Sequence, residues 1–254
     1  MAILKSPAEI AILAEAGKRL GLILAELREV TCPGITTQEL EELSLRRIKE
    51  SGAEPAFLHY QPSGADKPYP ASLCSSINDE VVHTPPSNRV IKDGDIVKLD
   101  LGLKIDGWCV DSAITVIVGD VSKEIKKLVG TTEAALEAAI EMAQPGNHLG
   151  DIGAVVQEIV EGAGLSVVKS LTGHGIGRSV HEEPHVFNFG DKGTGEKIIP
   201  GMVLALEPIT SLGDGEIDQR DDDAYVTSDG SLSAHFEHTI AITDKGPIIL
   251  TKRP

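Results

Sequence analysis

Aromatic residues are scarce in this chain. One Trp, three Tyr and four Phe among 254 residues leave Leu, Ile, Val and Ala to build the core. Cysteine is rarer than aromatics. Cys32, Cys74 and Cys109 are odd in number and form no Cys-x-x-Cys pair, which argues against a disulfide framework and fits reduced thiols. No apolar run reaches membrane length, and Met1-Ala2-Ile3-Leu4-Lys5-Ser6 carries neither a long apolar region nor a cleavage signal. A soluble, cytoplasmic protein is expected. Basic residues are outnumbered by acidic ones, 23 to 39, and the net charge of -16 argues against a general nucleic-acid or anionic-membrane surface. The short basic clusters, Arg46-Arg47 with Lys49 and Lys123 with Lys126-Lys127, read as solvated helix faces.

What is present begins with two helix pairs. Ser6, Pro7 and Glu9 form an N-terminal signature for a helix running to about Glu29. The turn Cys32-Pro33-Gly34 follows, and Thr36 with Glu39 caps a second helix to about Ser51. Ser122 opens a third, to about Ala143. The turn Gln144-Pro145-Gly146 leads to a fourth, from about Gly150 to Gly162. The pairs match at one offset: Pro33 with Pro145, Leu40 with Ile152, Leu43 with Val155, Ile48 with Val160 and Gly52 with Gly164, each 112 residues apart. Strands are predicted over 70–76, 96–103, 108–118, 166–171, 202–208, 223–227, 234–243 and 247–251. Paired helices and antiparallel hairpins predict an α+β fold. It is expected to be a single catalytic domain, 1–254, of two pseudo-symmetric halves, about 1–120 and 121–254. The halves would share one antiparallel sheet covered by helices, with the ligand site at their seam.

Chemistry enters through carboxylates in apolar surroundings. Asp106-Gly107 is a turn signal between two β-branched-rich runs. Folding the chain about Ile105-Asp106 pairs Leu103 with Trp108, Leu101 with Val110 and Asp100 with Asp111. The two carboxylates would then face each other with Cβ atoms roughly 5 Å apart. Like charges so placed call for a cation or a shared proton. Glu207 ends the apolar run Leu204-Ala205-Leu206, and Glu237 lies within His235-Phe236-Glu237-His238-Thr239-Ile240. His174 sits among glycines in Thr172-Gly173-His174-Gly175-Ile176-Gly177-Arg178, read as a loop with room for the imidazole. His83 and His181 complete the inventory. Each feature alone has an ordinary explanation: lone histidines are mostly structural, strand-end glutamates are mostly solvated, and Glu182-Glu183 suits a surface turn. Carboxylates inside apolar strands three times over do not, because burying them is costly unless they are paired or metal-bound. Two Asp, two Glu and one neutral His carry a charge of about -4, which two divalent cations balance. Oxygen ligands with one imidazole suit Mn, Fe, Co or Zn. Such a dinuclear centre activates water for hydrolysis.

Taken in order, the motifs Ser76-Ile77-Asn78-Asp79-Glu80-Val81-Val82-His83, Lys98-Leu99-Asp100 with Asp111, Gly173-His174-Gly175-Ile176-Gly177, His181-Glu182-Glu183-Pro184, Glu207-Pro208 and Ser231-Leu232-Ser233-Ala234-His235-Phe236-Glu237-His238-Thr239 make the chain resemble the methionine aminopeptidases of the pita-bread fold. The likeness covers essentially the whole chain. With no large insertion between His174 and Glu207, it is to the type I form. The resemblance implies metal ligation by Asp100, Asp111, His174, Glu207 and Glu237, with Asp111 and Glu237 bridging two ions (Co, Mn, Fe or Zn). Glu207 would also carry a proton from the attacking water to the leaving amine. His83 would hydrogen-bond substrate near the scissile amide, His181 would stabilise the oxyanion, and Tyr69 and Cys74 would line the substrate pocket. The implied substrates are nascent polypeptides and peptides with N-terminal Met, handled by a monomer. Docking at the ribosome is left open.

The chain departs from the family around that pocket. Thr84 follows His83 where a glycine is usual, Val180 stands where an aromatic is common, and Ala224-Tyr225 stands near a usual tryptophan, with Tyr225 its candidate partial substitute. A roomier pocket is expected, its rim shaped by the insert-like segment 61–68. Two other functions compete. An X-Pro aminopeptidase or prolidase-like hydrolase of the same fold would usually carry a further N-terminal domain, and Ser231-Leu232-Ser233-Ala234 looks more like the methionine enzymes. A non-catalytic binding homologue would be expected to lose ligands, whereas all five are kept.

Overall fold

Both capping boxes read from the sequence are formed. Ser6 and Thr36 accept from the backbone N–H of Glu9 and Glu39, whose carboxylates accept in return from the cap residues' own N–H. The computed structural model describes residues 1–61 and 67–254, so most of the segment read as a rim insert, residues 62–66, lies outside the described residues. The helices are α1 (Pro7–Val30), α2 (Thr37–Glu50), α3 (Lys123–Met142) and α4 (Leu149–Gly162). Helices α2 and α4 both span 14 residues and keep the 112-residue offset. The backbone repeats with them. Gly34 and Gly146 have φ of 100° and 99°, and Gly52 and Gly164 have 73° and 70°. The bridges Thr36 to Val90 and His148 to Lys197 sit at matching places.

The strands are β1 (Glu54–Pro55), β2 (Leu73–Ile77), β3 (Glu80–Val82), β4 (Ile96–Ile105), β5 (Trp108–Ile117), β6 (Ser166–Val167), β7 (Gly173–Gly175), β8 (Glu182–Val186), β9 (Val203–Leu206), β10 (Ile209–Ser211), β11 (Ile217–Gln219), β12 (Tyr225–Thr227), β13 (Ser233–His235), β14 (His238–Thr243) and β15 (Gly246–Ile249). All pairing is antiparallel. Strands β1 and β2 share one edge of β4, and β5 lies along the other; β15-β14-β9-β7-β8 form the second large ladder. Two smaller ladders, β13-β10-β6 and β11-β12-β3, complete the set. The strand expected over 202–208 is interrupted at Glu207-Pro208, since proline has no N–H to donate. The one expected over 234–243 is interrupted at Phe236-Glu237, opposite the first break. Two of the carboxylates therefore sit where the ladders are broken.

The β4–β5 hairpin corrects the expected register: the turn is centred one residue further on, so every partner moves by two residues. Ile105 pairs Trp108, leaving Asp106-Gly107 as the two-residue loop with φ of 51° and 75°. A two-residue type I′ loop needs φ > 0 at both central positions; Asp and Gly supply it, whereas β-branched Ile105 resists it. Asp111 therefore lies opposite Gly102, and Asp100 opposite Ala113. The two aspartates still share a face, as diagonal neighbours rather than a facing pair.

Side-chain hydroxyls close the seam between the β4–β5 hairpin and the β13–β14 segment. Thr239 Oγ1 accepts from the Asp111 N–H (2.9 Å) and donates to the Asp111 carbonyl (2.7 Å). Thr115 does the same for His235, at 2.9 and 2.7 Å. Between them the Glu237 N–H donates to the Ala113 carbonyl (2.9 Å), and Ser112 Oγ donates to the Glu237 carbonyl (2.7 Å). This zipper holds Asp111, His235 and Glu237 in one register.

Candidate active site

A cavity of about 860 Å³ opens over the seam, and all nine site residues expected from the sequence line it: Tyr69, Cys74, His83, Asp100, Asp111, His174, His181, Glu207 and Glu237. Asp100 comes from β4, Asp111 from β5 and His174 from β7, while Glu207 and Glu237 come from the two strand breaks. The Gly-His-Gly stretch read as a loop is strand β7, between β8 and β9. Any side chain at Gly173 or Gly175 would run into the carbonyls of Ala205 and Glu183, so glycine is what lets the neighbouring strands close on His174.

Donor atoms of Asp111, His174 and Glu237 lie within 4.8 Å of one another, and all three side chains are buried. His174 Nε2 is 3.4 Å from Glu207 Oε1. Its Nδ1 lies 2.9 Å from the Gly175 carbonyl, so that nitrogen carries the proton and Nε2 offers its lone pair to the carboxylates. Burial and the surrounding negative charge hold Asp100, Glu207 and Glu237 well above the usual carboxylate range, and burial lifts Asp111 to about 7. Burial pushes His174 down to about 3. Asp100 Oδ1, Asp111 Oδ1 and Glu237 Oε1 are buried with no hydrogen-bond partner among the described residues. No Lys or Arg among those residues forms an ion pair with any of the four carboxylates. Convergent acids with orphaned oxygens and one neutral imidazole fit divalent metal.

The two auxiliary histidines line the same cavity as this cluster. His83 follows β3 with φ of 62°, opens on the cavity and meets Tyr225 edge-on at 5.6 Å. Desolvation by the surrounding protein and the neighbouring His181 lower it to about 4. His181 packs edge-on against His174 at 4.5 Å, and its Nδ1 lies 2.8 Å from the Tyr60 hydroxyl. Its loop is anchored through Glu182, which accepts from the N–H groups of Arg178 and Ser179 and from buried Lys5 Nζ at 2.7 Å. Tyr69 donates to the Leu73 and Thr84 carbonyls, which fixes its ring as a wall.

Sequence reasoning did not single out His235, Tyr60 or Phe57, all of which line the cavity; Tyr225, read as standing near a usual tryptophan, lines it too. His235 is buried, its Nε2 is 3.6 Å from Glu207 Oε2, and neither ring nitrogen has a hydrogen-bond partner among the described residues. The available signal was its two-residue spacing from Glu237, next to the same strand break. Tyr60 had no such signal, since its partner is 121 residues away. The roomier pocket expected from Val180 and Ala224 is not built from them. Both are buried away from the cavity, and Tyr225 supplies an aromatic wall instead.

The model of metallopeptidase family M24 matches residues 11–244. The chain belongs to metallopeptidase family M24. Within M24 it is 46% identical over 254 residues to a methionine aminopeptidase of Aquifex aeolicus, covering 98% of each chain. It superposes on the crystal structure of a methionine aminopeptidase from Thermotoga maritima with a TM-score of 0.95 and 43% identity, covering all of both chains. A prolidase from Pyrococcus horikoshii shares the fold, with a TM-score of 0.78 and 24% identity, but this chain spans only 65% of it. The pita-bread α+β fold is thus that of this M24 chain. As an M24 metallopeptidase it is a hydrolase that uses divalent metal, and the carboxylate–imidazole cluster is the part of the molecule suited to hold it. No helix among the described residues is long and apolar enough to cross a membrane.

Proposed function

We infer that this chain removes N-terminal methionine from peptides and newly made polypeptides. The observation that carries this is the convergence of Asp100, Asp111, His174, Glu207 and Glu237 on the wall of a cavity with an apolar end formed by Phe57, Tyr60, Tyr69 and Cys74. Those five residues would hold two divalent ions, and donor atoms of Asp111, His174 and Glu237 already lie within 4.8 Å of one another. Bound there, the metals supply a polarised carbonyl and an activated water. Glu207 takes the proton of the attacking water and returns it to the leaving amine. His83 is neutral and hydrogen-bonds the substrate beside the scissile amide. The Tyr60 hydroxyl is hydrogen-bonded to His181 Nδ1; with Tyr60 as donor, the ring N–H lies on Nε2, where it stabilises the oxyanion. A thioether suits the aromatic and thiol walls, since sulfur packs favourably on rings.

The experiment is turnover of Met-Ala-Ser and of Ala-Pro by chelator-stripped protein titrated with Mn, Co, Fe and Zn in turn. Cleavage of Met-Ala-Ser returning with metal supports the proposal and ranks the ions. Cleavage of Ala-Pro alone would move the chain to the X-Pro enzymes, and no cleavage of either would overturn the assignment.

A further inference from the structure

We propose that the outer face of the segment beginning at β8 is an extended substrate subsite, which binds apolar side chains at about the third to fifth residues of the peptide. This rests on the aminopeptidase reading. Residues alternate there in period two: Pro184, Val186 and Asn188 turn inward and are buried, whereas Glu183, His185 and Phe187 turn outward. Glu183 and His185 line the catalytic cavity, so the row starts inside the site and runs out of it. His185 stacks toward Phe187 at 6.3 Å, and Phe187 meets Phe189 edge-on at 5.4 Å. Lys169 Nζ lies over the Phe189 ring at 5.7 Å and closes the far end.

This is a conspicuous use of aromatics in a chain that has so few. Of four phenylalanines, Phe57 and Phe236 are buried, while Phe187 is 47% exposed with Phe189 beside it. Among the described residues strand β8 is the edge of its ladder and pairs with β7 alone. A contiguous apolar patch beside a ligand cavity is a candidate binding face. Continuity with the cavity identifies the occupant as the part of the substrate beyond the scissile bond. At about 3.3 Å per extended residue, Phe187 lies roughly 7 Å beyond His185, about two substrate residues further out.

The test compares Met-Ala-Ser, Met-Ala-Ser-Leu-Phe and Met-Ala-Ser-Gly-Ser, each with the metal-loaded parent and with F187S. In the parent, kcat/KM for the Leu-Phe peptide should exceed that for the Gly-Ser peptide by about three- to tenfold, the gain from partly covering apolar side chains. F187S should remove that advantage, mainly through KM, while its Met-Ala-Ser turnover stays at the parent level and reports an intact fold. No advantage in the parent, or an undiminished one in F187S, would overturn the subsite. Concentration-dependent dimerisation that F187S abolishes would assign the rings to a second copy of the chain and also overturn it. Failure on Met-Ala-Ser itself would instead sink the activity on which the subsite depends.

Discussion

The Thr239 hydroxyl is the smallest group on which both the fold and the site depend. It satisfies the N–H and the carbonyl of Asp111 at 2.9 and 2.7 Å, deep in the seam, and Asp111 is a candidate shared metal ligand. Thr239→Val keeps the shape and replaces the hydroxyl with a methyl. Two buried backbone groups then lose their partner, at about 1–3 kcal/mol each. A loss of about 3 kcal/mol lowers the melting temperature by roughly 6–12 °C in a chain of this size. Thr239→Ser retains the hydroxyl and loses only a methyl, about 1 kcal/mol. Urea unfolding of metal-free parent, T239V and T239S measures the difference. T239V should also need more metal for half-maximal activity, because the Asp111 backbone is no longer held in register. Equal stability of T239V and T239S, within about 0.5 kcal/mol, would refute the zipper as an energetic element.

The other expectations concern the site directly. Asp111→Asn should lose metal and activity together, measured by metal analysis and peptide turnover; full activity with unchanged metal content would contradict its role as a shared ligand. Tyr60→Phe should lower kcat about tenfold with KM little changed, since only the proton position on His181 is disturbed; an effect on KM alone would make Tyr60 a pocket wall and no more. With pH, carboxylates at about 4 in the unfolded chain are held up by burial in the metal-free fold, Asp111 to about 7 and the others above the usual range. Their contribution to metal-free stability is therefore complete below about pH 4 and is lost as pH rises through about 7 and beyond. Metal must displace those protons, so the urea-midpoint gap between loaded and metal-free protein should widen from about pH 6.5 to 8. Lys98, lowered to about 7 by burial, acts with the opposite sign but equally on both forms. A gap that narrows with pH would contradict the assignment.

Local chemistry made the helices legible. Ser6 with Glu9 and Thr36 with Glu39 announce helix starts within four residues of sequence, and α2 and α4 keep the sequence-read offset of 112 residues. The candidate site carboxylates stood out for a related reason: a carboxylate in an apolar stretch is anomalous wherever its partner lies. The hairpin pairing was misplaced by two residues because turn dihedrals, not symmetry about the chosen turn centre, decide which residues pair. The strand breaks at Glu207 and Glu237 face each other only once β9–β10 has met β13–β14. His235 beside Glu207, Tyr60 on His181 and the hydroxyl zipper all join residues far apart in the chain. Sequence alone thus determined which residues needed partners, because capping and burial costs belong to each residue. Tertiary structure decided which partners they met, because those distances are set by packing between segments that no local pattern relates.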